Sequence, residues 1–196
     1  MDSPDIKKLA FDLNNLTNKE LGSIQNELHY NKSLKLIQFI HTEFTIRQLK
    51  YIVKGLKKNT TIDTIDIIYS IIGGEEIKYL LDNIRQNKYI HTLIFYWNNF
   101  YEDEQYQNDF IKQLSEGLLF NKYIQNIYIN ICGINSINIK YINNIFKYNK
   151  IIQVMYLDYK DMGNLITDGQ HRASILLYLD INIQIKCNGR TAVPHY

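Results

Sequence analysis

The stretch LHYNKSLKLIQF, residues 28 to 39, returns in altered form as LKKNTTIDTIDI, residues 56 to 67. Both stretches have an asparagine in the fourth place, followed by apolar residues three, six and eight positions later. Three more asparagines continue the series, with separations of 28, 28, 34 and 28 residues. We call these five residues the anchor asparagines: Asn31, Asn59, Asn87, Asn121 and Asn149.

The apolar positions after the anchors form one register. Counting back 28 residues from Asn31 gives Ser3, where the same three offsets give Ile6, Leu9 and Phe11. All eighteen positions in the six units are apolar, although hydrophobic residues make up only 45% of the chain. The last two offsets differ by two, which is the spacing of residues on one face of a strand. The sequence therefore predicts six strands, centred near residues 9, 37, 65, 93, 127 and 155.

The segment before each anchor has a different period. Apolar residues lie ten, seven and three positions before it, as in Leu49, Ile52 and Leu56. Such spacing marks one face of a helix. Each unit is thus predicted to be helix, turn and strand, and the helix gives the crossover that parallel strands require.

The pattern L-x-x-N-x-x-I-x-x-I-x-I resembles the ribonuclease-inhibitor-like class of leucine-rich repeats, over residues of about 3 to 158. The resemblance implies an α/β fold, a leucine-rich-repeat solenoid shaped as a short horseshoe. Parallel strands would line its concave face and helices its convex face. We expect residues 1–160 to form this solenoid with six strand units, and residues 161–196 to form an atypical C-terminal cap.

Strand positions that alternate with the buried ones are expected to form the concave face, where a partner would bind. Tyrosines recur there in three neighbouring strands, and tyrosine is enriched in binding hot spots. The candidate partner-binding residues are Ile94, Tyr96, Trp97, Tyr128, Tyr156 and Asp158. A chain with 16 tyrosines could also place some of them there by composition alone. Six extra residues between Asn87 and Asn121 indicate a loop near residues 97–104, which could serve recognition or be a tolerated insertion.

The repeat ends after residue 158, and the tail contains Asp168, Gly169, Gln170, His171 and Arg172. This sequence resembles the Asp-Gly-x-His-Arg signature of the ParB and sulfiredoxin superfamily, in the form found in DGQHR-domain proteins. The resemblance implies a phosphate-binding turn. Gly169 would shape the turn, Asp168 would fix the loop, and His171 and Arg172 would hold the phosphate.

A structural cap is the alternative for the tail, and it is the one that we prefer. Ile183 and Ile185 keep the repeat spacing counted from Asn149, and terminal units of a repeat stack are often atypical. Both interpretations of the tail stay open on the sequence alone.

Composition narrows the function classes. A net charge of +2 argues against a dedicated nucleic-acid binder, and no apolar run approaches the roughly 18 residues of a membrane span. Cys132 and Cys187 are too few for a disulfide framework, and the histidines lack metal-ligand spacing, so no cofactor and no metal are expected. The residues Gly73, Gly74, Glu75 and Glu76 suggest a turn into the acidic first turn of a helix.

The preferred function is a non-catalytic protein–protein interaction module, a cytoplasmic monomer with a protein partner and neither nucleic acid nor membrane. The alternative is a nucleotide- or phosphate-binding protein, an enzyme included, that uses the turn from Asp168 to Arg172.

Overall fold

The computed structural model describes residues 7–96, 104–130 and 136–158 of the 196-residue chain. Strands and helices alternate throughout these residues. The strands are β1 (Lys8–Phe11), β2 (Leu36–Ile40), β3 (Thr64–Ile68), β4 (Thr92–Tyr96), β5 (Asn126–Asn130) and β6 (Val154–Asp158). The helices are α1 (Asn18–Tyr30), α2 (Ile46–Leu56), α3 (Gly74–Ile84), α4 (Glu104–Leu118) and α5 (Ser136–Tyr148).

The six strands form one parallel sheet in chain order, β1-β2-β3-β4-β5-β6. Residues 28 apart are paired, as in Ile37 with Ile65 and Ile65 with Leu93. Between β4 and β5 the paired residues are 34 apart, as in Leu93 with Ile127. The predicted parallel register and all six strand positions are therefore confirmed, and the fold is α/β.

One face of the sheet is buried. Ile37, Ile65 and Leu93 are each at most 1% exposed, and they belong to one core cluster with the inner faces of all five helices. Each helix also packs against the next one along the chain. Because the buried strand positions lie on a single face, we infer that the helices cover that face. We call the other side of the sheet the open face.

Local sequence explains where the helices begin. Thr17 and Thr45 cap α1 and α2, and in each case the threonine hydroxyl accepts from the backbone three residues later, while Glu20 or Gln48 bonds back to the cap. Helix α3 begins at Gly74 with Glu75 and Glu76 in its first turn, as predicted.

The anchor asparagines join one repeat to the next. The Nδ2 of Asn59 donates to the carbonyls of Leu28 (2.6 Å) and Asn31 (3.1 Å) in the preceding turn. Its Oδ1 accepts from the backbone N–H groups of Thr61 and Ile62 in its own turn. Asn87 and Asn149 repeat the donor contacts one and three turns further on. The anchor position needs a side chain with both a donor and an acceptor. The donor bonds to backbone carbonyls of the preceding turn, and the acceptor bonds to backbone N–H groups of its own turn.

Candidate interaction face

Three rows of residues cross the open face, because residues in register on parallel strands share a face. The lower row is mostly polar, the middle row is mixed, and the upper row is apolar and aromatic. In chain order the rows are Lys8, Leu36, Thr64, Thr92, Asn126; then Ala10, Gln38, Asp66, Ile94, Tyr128; then Ile40, Ile68, Tyr96. From β2 to β5 these side chains are partly exposed, with the exception of Asp66.

The register brings some of the predicted partner-binding residues together. Ile94 is paired with Tyr128, and Tyr128 with Tyr156, so the three positions share the middle row. Tyr96 lies in the upper row beside Ile68. Asp158 is paired with Asn130, at the far end of the sheet.

Trp97 lies outside the described residues. The alternation along each strand placed the other predicted residues on one face, and the structure places their backbone positions on that face.

Asp66 differs from what the sequence suggests for an outward strand position. It is only 8% exposed, although it lies on the open face between Gln38 and Ile94. Its Oδ2 accepts a hydrogen bond of 2.6 Å from the Nε2 of Gln38, while its Oδ1 is buried and has no hydrogen-bond partner. Burial raises the pKa of this carboxyl, and the bond from Gln38 and the charge of Lys8 act in the opposite direction. Alternation predicts which face a residue occupies, and gives no measure of its depth.

A pair of stacked rings at the strand ends was not foreseen from the sequence. His41 and Tyr69 directly follow β2 and β3, and their ring centroids are 5.6 Å apart with planes inclined by 17°. Both residues are exposed and both have left-handed backbone, with φ of 51° and 50°. Glycine is the residue that usually indicates this conformation in a sequence. Neither position is a glycine, so the sequence gives no sign of it. The two residues directly follow the upper-row residues Ile40 and Ile68 in the chain.

The six-residue insertion is partly taken up by a helix. Helix α4 has 15 residues, against 11 in α2 and in α3. Tyr106 in its first turns packs against the core, and its pKa is raised to about 12 by burial, with the nearby carboxylates of Glu76, Glu43 and Asp109 acting in the same direction. Residues 97–103, which hold the rest of the expected loop, lie outside the described residues.

The candidate phosphate-binding residues Asp168, Gly169, His171 and Arg172 also lie outside the described residues. Within residues 7–96, 104–130 and 136–158 there is no group of three or more His, Cys, Asp or Glu side chains that could hold a metal ion. In the same ranges no helix is both long enough and apolar enough to cross a bilayer.

Comparison with known proteins adds information on the fold. No protein-family model matches the chain, and no curated protein matches it. Among solved structures, the chain is similar to one described as "Leiomodin-1 Actin-Binding Site 2 (ABS2)", with a TM-score of 0.55 and 16% identity. The match covers 87% of this chain and 86% of that chain. At this identity the likeness concerns the fold alone.

Proposed function

We propose that this chain is a leucine-rich-repeat solenoid of the ribonuclease-inhibitor-like class, and that it is a non-catalytic module that binds a protein partner on its open face. In such a solenoid the open face is the concave one. Three observations support the assignment: the 28-residue period, the parallel sheet in chain order, and the asparagine bonds between successive turns. A partner would sit across β4 to β6, which carry Tyr96, Tyr128 and Tyr156.

The observation that carries the proposal is a continuous set of partly exposed apolar and aromatic residues on the open face. Ile40, Ile68 and Tyr96 are in register in the upper row, and Ile94 is paired with Tyr128 in the row beside them. A partner that covers these rows would remove apolar surface from water at about 25 cal/mol per Å². Tyrosine adds a polar group to a large contact area and is enriched in the hot spots of protein–protein interfaces.

Asp66 supplies a specific contact in the middle of this surface. Its carboxyl has one bonded oxygen and one oxygen without a partner, and its neighbours in register are Gln38 and Ile94. A buried acceptor without a partner is costly, and a donor brought by another molecule would relieve that cost. The partner chemistry that fits is therefore an apolar surface with an N–H or cationic group near its centre.

The experiment is affinity capture from clarified lysate, followed by a direct binding measurement with each purified candidate. Tyr96→Ala, Tyr128→Ala and Tyr156→Ala are combined in one variant, and Tyr30→Ala with Tyr148→Ala forms the control. The control tyrosines are 70% and 60% exposed and lie outside the open face. The wild type and the control should bind the same purified protein in calorimetry, with affinities within about twofold, while the face variant should bind at least tenfold more weakly.

Equal affinity for the face variant, with a native circular dichroism spectrum, would move the interface away from the open face. Purified actin is one concrete protein to include, since the similar structure is described as an actin-binding site. The direct measurement on this chain decides whether actin binds.

A second candidate function rests on the tail motif from Asp168 to Arg172, whose sequence resembles a phosphate-binding turn. Backbone N–H groups at a helix start, together with an arginine, are suited to phosphate. A thermal-shift panel of nucleotides and inorganic phosphate tests this function, since a ligand of the folded state raises the melting temperature.

A further inference from the structure

The turns that contain the anchor asparagines have a one-sided charge composition. Taking three residues on each side of every anchor gives the segments 28–34, 56–62, 84–90, 118–124 and 146–152. These segments contain eight lysines or arginines and no aspartate or glutamate, in a chain that has 22 basic and 20 acidic residues in all. All eight basic residues are exposed. We call this set of five turns the basic rim.

The fold aligns these turns along one side of the molecule. Asn59 donates to the carbonyl of Asn31, Asn87 to that of Asn59, and Asn149 to that of Asn121, at 3.1, 3.3 and 3.0 Å. The remaining step between repeats is bridged where the N–H of Gln125 donates to the carbonyl of His91, at 2.8 Å. Since paired strands are in register without a stagger, the turns lie side by side along one border of the sheet.

The basic rim also carries the most exposed aromatic side chains among the described large hydrophobic residues. Tyr30, Phe120 and Tyr148 are 70%, 70% and 60% exposed, and each directly precedes an anchor asparagine. The Nζ of Lys147 lies 5.0 Å from the ring centre of Tyr148, and the Nζ of Lys88 lies 5.4 Å from that of Tyr89. Lysines and projecting aromatic rings therefore alternate along the same border.

Helix dipoles explain only part of this pattern. Cations in the last turn of a helix complement its carbonyl end, as Lys147 does, and Lys150 donates to the carbonyl of Phe146. Lys32, Lys88 and Lys122 come after the anchor, two to four residues beyond the end of α1, α3 and α4. The dipole effect falls off within the last turn, and it gives no reason for exposed aromatic rings.

We infer that the basic rim docks on an anionic lipid surface. The rim presents eight exposed cations, and basic side chains beside an anionic leaflet are attracted to it. Tyrosine and phenylalanine rings at such a border can enter the headgroup region, where aromatic side chains are favoured. A single nucleic-acid strand is usually held in a positively charged groove with stacked bases, whereas the cations of the rim lie on exposed turns.

Charges elsewhere on the chain favour the same orientation. The opposite ends of three of the five described helices carry acidic residues, with Glu20, Glu75, Glu76 and Glu104 in the first turns of α1, α3 and α4, while the first turn of α2 carries Arg47. An anionic surface would attract the basic rim and repel this acidic side. The net charge of +2 hides the separation. The sequence-based expectation of no membrane partner rested on the lack of an apolar run long enough to span a bilayer, and surface docking needs no such run.

The test is sedimentation of the full chain with vesicles of phosphatidylcholine alone or with about one third phosphatidylserine, at low and high salt. Binding should require phosphatidylserine and should weaken as salt shortens the range of the attraction. The rim variant combines Lys32→Gln, Lys88→Gln and Lys122→Gln. Its partition coefficient should fall about a hundredfold, at about fivefold for each lysine removed.

The matched control combines Lys19→Gln, Lys50→Gln and Lys78→Gln, which are exposed lysines on α1, α2 and α3 outside the rim. This control changes the net charge by the same amount and should keep most of the binding. A third variant, with Tyr30, Phe120 and Tyr148 changed to serine, should also bind vesicles more weakly.

Equal binding by the rim variant and the control would overturn the inference, as would equal binding to vesicles without phosphatidylserine. Unchanged vesicle binding by the serine variant would also overturn it, because a purely electrostatic contact would not use the rings. Binding to a single-stranded oligonucleotide but not to vesicles would assign the rim to nucleic acid instead. Failure of the open-face test leaves these measurements intact, since the two surfaces share no residue.

Discussion

Replacing Asn59 by alanine should cost a large part of the stability of the fold. The side chain is 1% exposed and makes four hydrogen bonds to backbone groups. It donates to the carbonyls of Leu28 and Asn31, at 2.6 and 3.1 Å, and accepts from the N–H groups of Thr61 and Ile62, at 2.8 and 2.7 Å. Each such bond contributes roughly 0.5–1.5 kcal/mol net, so we expect a loss of about 4 kcal/mol. Domains of this kind have about 5–15 kcal/mol in total.

Asn31 provides the matched control, because it occupies the same place in an outer repeat. Its Oδ1 accepts from the N–H groups of Ser33 and Leu34, at 2.9 and 2.7 Å. Its Nδ2 donates to the carboxylate of Glu27, in an exposed contact. Asn31→Ala therefore loses two backbone bonds rather than four, and should cost about 2 kcal/mol.

Urea unfolding followed by circular dichroism measures both variants, with the slope of the transition compared to that of the wild type. Asn59→Asp adds a second check, because aspartate keeps the acceptor and loses the donor. It should be at least as destabilised as the alanine variant, since a carboxylate would face two buried carbonyls. Equal losses for Asn59→Ala and Asn31→Ala, within about 0.5 kcal/mol, would refute the bonding argument.

Three further predictions concern other parts of the chain. Asp66→Asn should gain stability relative to the wild type as the pH rises from about 4 to about 7. Burial raises the pKa of the Asp66 carboxyl in the folded state, so the folded wild type holds this proton more tightly than the unfolded chain does. The folded wild type therefore loses stability when the carboxyl releases its proton, and the asparagine variant has no such proton to lose. Parallel pH curves for the two proteins would contradict this. Gly22→Ala should raise the melting temperature, because a Cβ there meets nothing within 4 Å, whereas Gly55→Ala should lower it, because its Cβ would lie 2.8 Å from the backbone oxygen of Gln25; a rise for both would count against the packing of α1 on α2. If the tail binds phosphate, Arg172→Ala should lose about tenfold to hundredfold in nucleotide affinity; if the tail is a cap, as we expect, no nucleotide should shift the melting temperature at about millimolar concentration.

The sequence predicted the parallel sheet because one physical requirement repeats in every unit. Ile37, Ile65 and Leu93 must each face the helices, so their spacing carries the register directly. The insertion changed the spacing once and did not disturb the pairing of Leu93 with Ile127. The same register identifies the anchor asparagines, whose side chains bond to the preceding turn.

Other features depend on contacts between repeats that no single period records. The depth of Asp66 is set by its neighbours on β2 and β4, and alternation within β3 cannot supply it. The stack of His41 on Tyr69 is accompanied by left-handed backbone at both residues, a conformation that non-glycine residues seldom adopt. The charges of the basic rim are far apart in the sequence and become neighbours only when the turns are stacked, so no single segment of the sequence reveals the rim.

The two proposed surfaces are compatible in one arrangement. The basic rim lies at the ends of the strands where each chain segment enters the sheet, while the open face runs along the strands. If the rim rests on a lipid surface, the strands run away from that surface and the open face stands beside it. The middle and upper rows, with Ile94 and Tyr96, would then be farther from the lipid than the polar lower row with Thr92. A partner could bind to these rows while the rim stays on the membrane. The rim variant should therefore still bind the partner, and the face variant should still bind vesicles.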